Sequence, residues 1–107
     1  MESKIEGEKQ RIKNEIENFL KEQKIEFNQD ERHITIKGEL SYIVILKFVE
    51  ISIKTRQDKH LTITIGKREI VLRYEETFRE GNTKMIKIKK SVISAVYFTD
   101  NTLVILF

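Results

Sequence analysis

The densest run of chemistry-bearing side chains lies late in the chain. Lys84, Lys87, Lys89 and Lys90 follow closely on Arg68, Arg73 and Arg79. Lysines spaced along a strand, with Lys87 and Lys89 on one face, carry the charge to track a phosphate backbone. Lys84, Lys87, Lys89, Lys90 and Arg73 are therefore the candidate contacts to nucleic acid or to an acidic protein partner. Glu75, Glu76 and Glu80 fall in the facing strand, where cross-strand ion pairs would use up part of this charge. The nearby aromatics, Tyr74 and Phe78, read as core. A solvated basic face is the plainer expectation.

Other chemistry is thin. His33 lies near Asp30 and Glu31, and His60 near Asp58. A metal site would need these groups to converge, whereas each histidine falls on the polar side of an alternating strand. Gly7, Gly38, Gly66 and Gly81 are isolated, so no glycine-rich phosphate loop is expected. Glu75 and Glu76 are adjacent in a strand and point to opposite faces. The absence of cysteine removes disulfides, thiolate metal sites and cysteine nucleophiles together. No catalytic residue, metal ligand or cofactor is assigned. A small hydrolase assembled from distant residues is the remaining enzymatic reading.

The elements that must position these residues are legible from periodicity. Residues 3–23 read as an amphipathic helix. Ser3 and Glu6 have capping-box spacing, and Ile5, Ile12, Ile16, Phe19 and Leu20 form one narrow stripe. Glu17 and Lys21 stand as an i,i+4 pair. Everything from about residue 32 to 107 reads as strand. Ile34 and Ile36 share a face, as do Leu61, Ile63 and Ile65, and then Ile70, Leu72, Tyr74 and Phe78. Gly66-Lys67 is a turn. A three-residue loop at Gly81–Thr83 would pair Phe78 with Ile86, Thr77 with Lys87 and Glu75 with Lys89. A two-residue Asp100-Asn101 loop would pair Phe98 with Leu103 and Tyr97 with Val104, because Asp and Asn tolerate the positive φ it needs.

The stretch 42-YIVILKFVEISIKT-55 is apolar on both faces in its first half and on one face in its second. A bulge or bend near Lys47–Glu50 would produce this change; two strands with a tight break there is the alternative. One helix with a narrow stripe cannot cover both faces of so much sheet. The uncovered apolar surface must be buried by closure of the sheet or by a second chain, the latter favoured, with Lys47 near the rim of the contact.

A chain of 107 residues with this content is a single α+β domain: one helix, then a six- to seven-stranded, mainly antiparallel sheet, with strong curvature as an option. Hydrophobic residues make up 39% and charged residues 35%, which excludes a disordered profile and predicts a surface dense in both signs. Residues 1–50 carry nine basic against eleven acidic groups, and residues 51–107 eleven against six, so the excess of +3 is concentrated late. No secretory signal is read at the N-terminus, and no apolar run reaches the ~20 residues of a membrane span. The expected setting is cytoplasmic, away from membranes.

The rhythm of 88-IKKSVISAVYFTDNTLVILF-107 resembles the I-x-x-V-x(n)-L-x-I close of bacterial domains with pleckstrin-homology-like folds. Their closing helix has no counterpart in the sequence. The order of one helix before strands, with 89-KKSVISAV-96 in place of a last motif, resembles Sm-like proteins, but their Asn/Gly signature is missing. Each covers about 20 residues, too short for a family assignment. The function expected by exclusion is non-enzymatic: a small protein-binding module, a phage-type inhibitor or adaptor, forming a homodimer or meeting another protein. A nucleic-acid-binding module using the basic strand is the alternative.

Overall fold

A computed structural model describes the backbone of residues 2–75 and 83–107 and the side chains of residues 7–75 and 83–107. One helix, α1 (Glu2–Glu22), precedes the strands β1 (Asn28–Gln29), β2 (His33–Ile45), β3 (Phe48–Thr55), β4 (His60–Ile65), β5 (Glu69–Glu75), β6 (Thr83–Lys89), β7 (Ala95–Thr99) and β8 (Thr102–Leu106). The strand order is β6-β5-β4-β3-β2-β8-β7, with β1 beside the start of β2. All neighbours are antiparallel. The sheet is open, with β6 and β7 at its two ends. This is the α+β architecture expected, with the two-residue β1 as an addition.

The helix buries Ile12, Ile16, Phe19 and Leu20 against one face of the sheet. Its end is set by a Schellman motif. The Ile25 N–H donates to the Leu20 carbonyl at 2.9 Å and the Lys24 N–H to the Lys21 carbonyl at 3.0 Å. Lys24 takes the left-handed conformation usually given to glycine, with φ of 57°. The side chain of Ile25 then enters the core. Lys13 is buried with both its partners supplied: its Nζ lies 2.8 Å from Glu17 Oε1 and 2.8 Å from Gln29 Oε1. Glu17 thus pairs backward with Lys13, not forward with Lys21 as its spacing suggested, because Lys13 is the one drawn into the interior.

Ile34, Ile36, Ile51, Ile53, Leu61, Ile63, Ile70, Leu72, Ile88, Leu103 and Ile105 form the sheet's share of the core. Ile34, Ile36, Leu61, Ile63, Ile70 and Leu72 belong to the faces predicted by their alternation. The β7–β8 hairpin has the expected register, Phe98 opposite Leu103 and Tyr97 opposite Val104. Asp100 and Asn101 take φ of 47° and 59°.

Two expectations are corrected. The β5–β6 register pairs Leu72 with Ile86, Ile70 with Ile88 and Glu69 with Lys89. It does not pair Phe78 with Ile86 or Glu75 with Lys89. The slip between the two registers is an even number of residues, so both keep the same side chains on the same face. The observed one sets isoleucines against the buried Ile70 and Leu72; the other would have placed Ser94 and Val92 there. The connection, residues 76–82, lies outside the described residues, and with it the expected loop. The second concerns 42–55, where the alternative of two strands with a tight break holds: the break is a turn at Leu46-Lys47, which closes on the Ile45–Phe48 pair, and no bulge interrupts Lys47–Glu50.

Candidate functional site

β2 is unusual because it serves two neighbourhoods in sequence. His33–Lys37 is flanked by β1 on one edge and by β8 on the other. At Gly38 the strand changes partners, and Gly38–Ile45 pairs with β3. The ladder to β8 ends at Lys37 opposite Thr102, followed by a 2.9 Å bond from the Gly38 N–H to the Asn101 carbonyl. Beyond that point no strand among the described residues lies beside the same edge of β2.

The direction of the free backbone groups follows from this bond. In an antiparallel strand the N–H and C=O of one residue point to the same edge, and successive residues alternate. Gly38 points away from β3. Leu40, Tyr42 and Val44 therefore point away from β3 too, toward the open edge. An open edge of this kind is a template for another strand.

The side chains along this edge are apolar and uncovered. Tyr42 is 58% exposed, Val44 70% and Leu46 103%, and Ile43 and Ile45 are also exposed. Tyr42 and Val44 continue the core-facing side of the sheet beyond Leu40, which itself packs against the core. Phe98, itself exposed, lies against Tyr42 with ring centroids 5.2 Å apart. Ile43 and Ile45 occupy the opposite face beside Glu50 and Phe48. Taking about 150–250 Å2 for a whole large side chain, these six residues present roughly 600 Å2. That reaches the top of the range for the largest apolar patch of an ordinary monomer. The two-sided apolar pattern of 42–46 was visible in the sequence; its projection as an uncovered arm was not.

The arm is bounded by charge. Glu39 stands at its base and Lys47 at its tip, both exposed. Lys54, the cross-strand neighbour of Glu39, turns instead to Asp58 at 3.2 Å. Among the described residues neither Glu39 nor Lys47 makes an ion pair.

The basic residues are divided by the fold. Lys87 and Lys89 project from the face of β6 that turns away from α1, in register with Val71 and Glu69. Arg73 shares that face, opposite Met85, and its Nε approaches Glu75 Oε1 at 3.3 Å without hydrogen-bond geometry. Lys84, opposite the buried Tyr74, belongs to the other face. Lys90 opens a short 3-10 turn and its N–H donates to the Arg68 carbonyl at 3.0 Å. The β4–β5 turn brings Lys67 and Arg68 beside Lys89, Lys90 and Ser91, which together line an open recess. Lys67 was missed as a site residue because its neighbours here are remote in sequence. The carboxylate facing Lys89 is Glu69, not Glu75.

The histidines do not share a site. His33 Nδ1 lies 2.9 Å from Asp30 Oδ1 in the β1–β2 turn. The same Asp30 oxygen accepts the backbone N–H groups of Arg32 at 2.9 Å and His33 at 2.8 Å. The Arg32 N–H above all, then the His33 side chain, holds the Asp30 carboxyl below its usual value of 3.8. This carboxylate closes a turn. His60 lies on β4 between Lys54 and Glu75. Among the described residues no three His, Asp or Glu side chains gather as a metal site would require, and no helix is long and apolar enough to cross a membrane. Comparison with known proteins finds no family model that matches the chain, no similar curated protein and no similar solved structure.

Proposed function

We propose that the protein is a non-enzymatic protein-binding module that acts through the β2–β3 arm. The observation that carries this reading is the coincidence of an unpaired strand edge at Leu40–Val44 with apolar side chains exposed on both faces of the same segment. Main-chain hydrogen bonds from such an edge supply affinity to an added strand, and the alternating side chains supply selectivity. In this reading the protein works by occupying a partner, as an inhibitor or adaptor does. The test is affinity capture with the wild-type chain and with a Val44→Lys, Leu46→Asp variant, thermal unfolding confirming that both are folded. Partners should be lost with the variant and kept by Lys87→Glu, Lys89→Glu. Equal capture by all three overturns the reading.

A second reading rests on the recess lined by Lys67, Arg68, Lys89 and Lys90, which could hold the phosphates of a nucleic acid. Electrostatic binding is strongest at low salt. Failure of the wild-type chain to shift labelled single- or double-stranded DNA or RNA at low salt removes it.

A further inference from the structure

We propose that the protein carries a further site, apart from the arm: a cleft in the sheet that binds small organic molecules bearing a dianionic phosphate group. The cleft is a consequence of strand register. In an antiparallel strand, odd and even residues bond to opposite edges. The His33 carbonyl accepts the Asp30 N–H at 3.1 Å, whereas the Gly38 N–H goes to Asn101. β1 and β3 therefore share one edge of β2, and β8 holds the other. Continuing the β1 ladder past the Asn28–Thr35 pair would set Glu26 opposite Lys37. Continuing the β3 ladder past the Thr55–Gly38 pair would set Arg56 opposite the same Lys37. One position cannot take both, so both segments leave the sheet there. A cavity of about 430 Å3 opens between them, within the ~300–1,000 Å3 of small-molecule sites.

The walls come from four separate parts of the chain. Lys21 belongs to the last turn of α1, Ile25 and Phe27 to the segment after it, Lys37 to β2, and Arg56 to the β3–β4 turn. Glu26 is the one carboxylate among the lining residues. Three cations against one anion leave a formal excess of two positive charges, which a phosphate monoester dianion would neutralise. Among the described residues none of these four charged side chains makes an ion pair or a side-chain hydrogen bond. The planar fork of arginine suits two phosphate oxygens at once, and the lysines add compact point charges.

Two features bear on the sign of the ligand. The C-terminal end of a helix repels an anion, but here the Phe19, Leu20 and Lys21 carbonyls already accept N–H groups from Gln23, Ile25 and Lys24. A second recess, of about 710 Å3, shares Lys37, Thr55 and Arg56 with the cleft but adds Glu39, Asp58 and Asp100. Like charge disfavours an anion in that recess and directs it to the cleft. The body of the ligand has its own wall, because Ile25 is buried and Phe27 half-buried against the core.

The test is a titration of the full chain followed by amide chemical shifts, at about pH 7.5, where a phosphate monoester is mostly dianionic. The probes are phenyl phosphate, inorganic phosphate and benzoate, with ionic strength held constant by chloride. Phenyl phosphate should shift Lys37, Arg56 and Gln57 saturably in the millimolar range. It should bind several-fold more tightly than inorganic phosphate, which cannot reach Phe27, and more tightly than benzoate, which carries one charge. Arg56→Gln should weaken it by at least about tenfold, the loss of a charge-assisted hydrogen bond, whereas Lys87→Gln should leave it unchanged. Both positions are exposed, so neither substitution should move the unfolding temperature. Shifts that never saturate, shifts reproduced by chloride alone, or shifts centred on Lys67, Arg68 and Lys90 overturn the site. Unchanged affinity in Arg56→Gln does the same. Equal binding of phenyl phosphate and inorganic phosphate, or tighter binding of benzoate, overturns the ligand class.

Discussion

Gly38 decides where the arm leaves the body of the protein, and Gly38→Ala tests that role. A Cβ placed there would lie 2.4 Å from the Lys54 carbonyl oxygen and 2.9 Å from Ile53 Cγ1. Ordinary contacts begin at 3.4 Å, so β2 and β3 must part locally by roughly 1 Å against well-packed neighbours. The nearest atom is backbone, so no rotamer change relieves it. Overpacking costs about 1–3 kcal/mol. Reduced freedom of the unfolded chain returns about 0.4–1 kcal/mol. The clash wins, and a net loss of about 1–2 kcal/mol remains. For a domain of this size that lowers Tm by about 4–16 °C, measurable by circular dichroism during heating. A Tm within about 2 °C of wild type, less than 1 kcal/mol on the same scale, would refute the close approach and the strand junction built on it.

Other substitutions separate the body from the arm. Phe19→Ala should cost about 3 kcal/mol by denaturant titration, as for a buried aromatic; an unchanged midpoint would mean that α1 is not docked. Lys24→Gly should raise stability by about 0.5–1 kcal/mol, because glycine adopts the left-handed cap without penalty; a loss would argue against the Schellman geometry. Asp30 titrates below 3.8 in the folded protein, so its ionised form favours folding above that pH, and the benefit fades as pH falls through the lowered value. The stability gap between wild type and Asp30→Ala should therefore narrow in acid, and a gap that is constant with pH would count against the turn's hydrogen bonds. Val44→Lys with Leu46→Asp should leave monomer stability within about 0.5 kcal/mol, since both side chains face water; a larger loss would mean that the arm is packed within its own chain.

Much of this fold was legible because alternation and helical spacing report burial directly. Leu61, Ile63, Ile70 and Leu72 could be assigned to the core from period two alone, and Asp100-Asn101 announced its own turn. The Leu46-Lys47 turn carried no such signal. Neither residue takes a positive φ, so no glycine, asparagine or aspartate is required there, and an apolar residue beside a lysine reads as continuing strand. The β5–β6 register was hidden for a different reason: an even slip leaves every face unchanged, and only the packing of Ile86 and Ile88 over buried neighbours distinguishes the alternatives. For the site, the apolar character of Tyr42–Leu46 was plain in the sequence. Its exposure was not, because apolar residues on both faces of a strand describe a central buried strand equally well.

Amide hydrogen exchange in dilute solution tests the open edge most directly. The amides of Leu40, Tyr42 and Val44 should exchange rapidly, while those of Ile51 and Ile63 stay protected. Slow exchange of Tyr42 and Val44 in the dilute monomer would contradict an open edge.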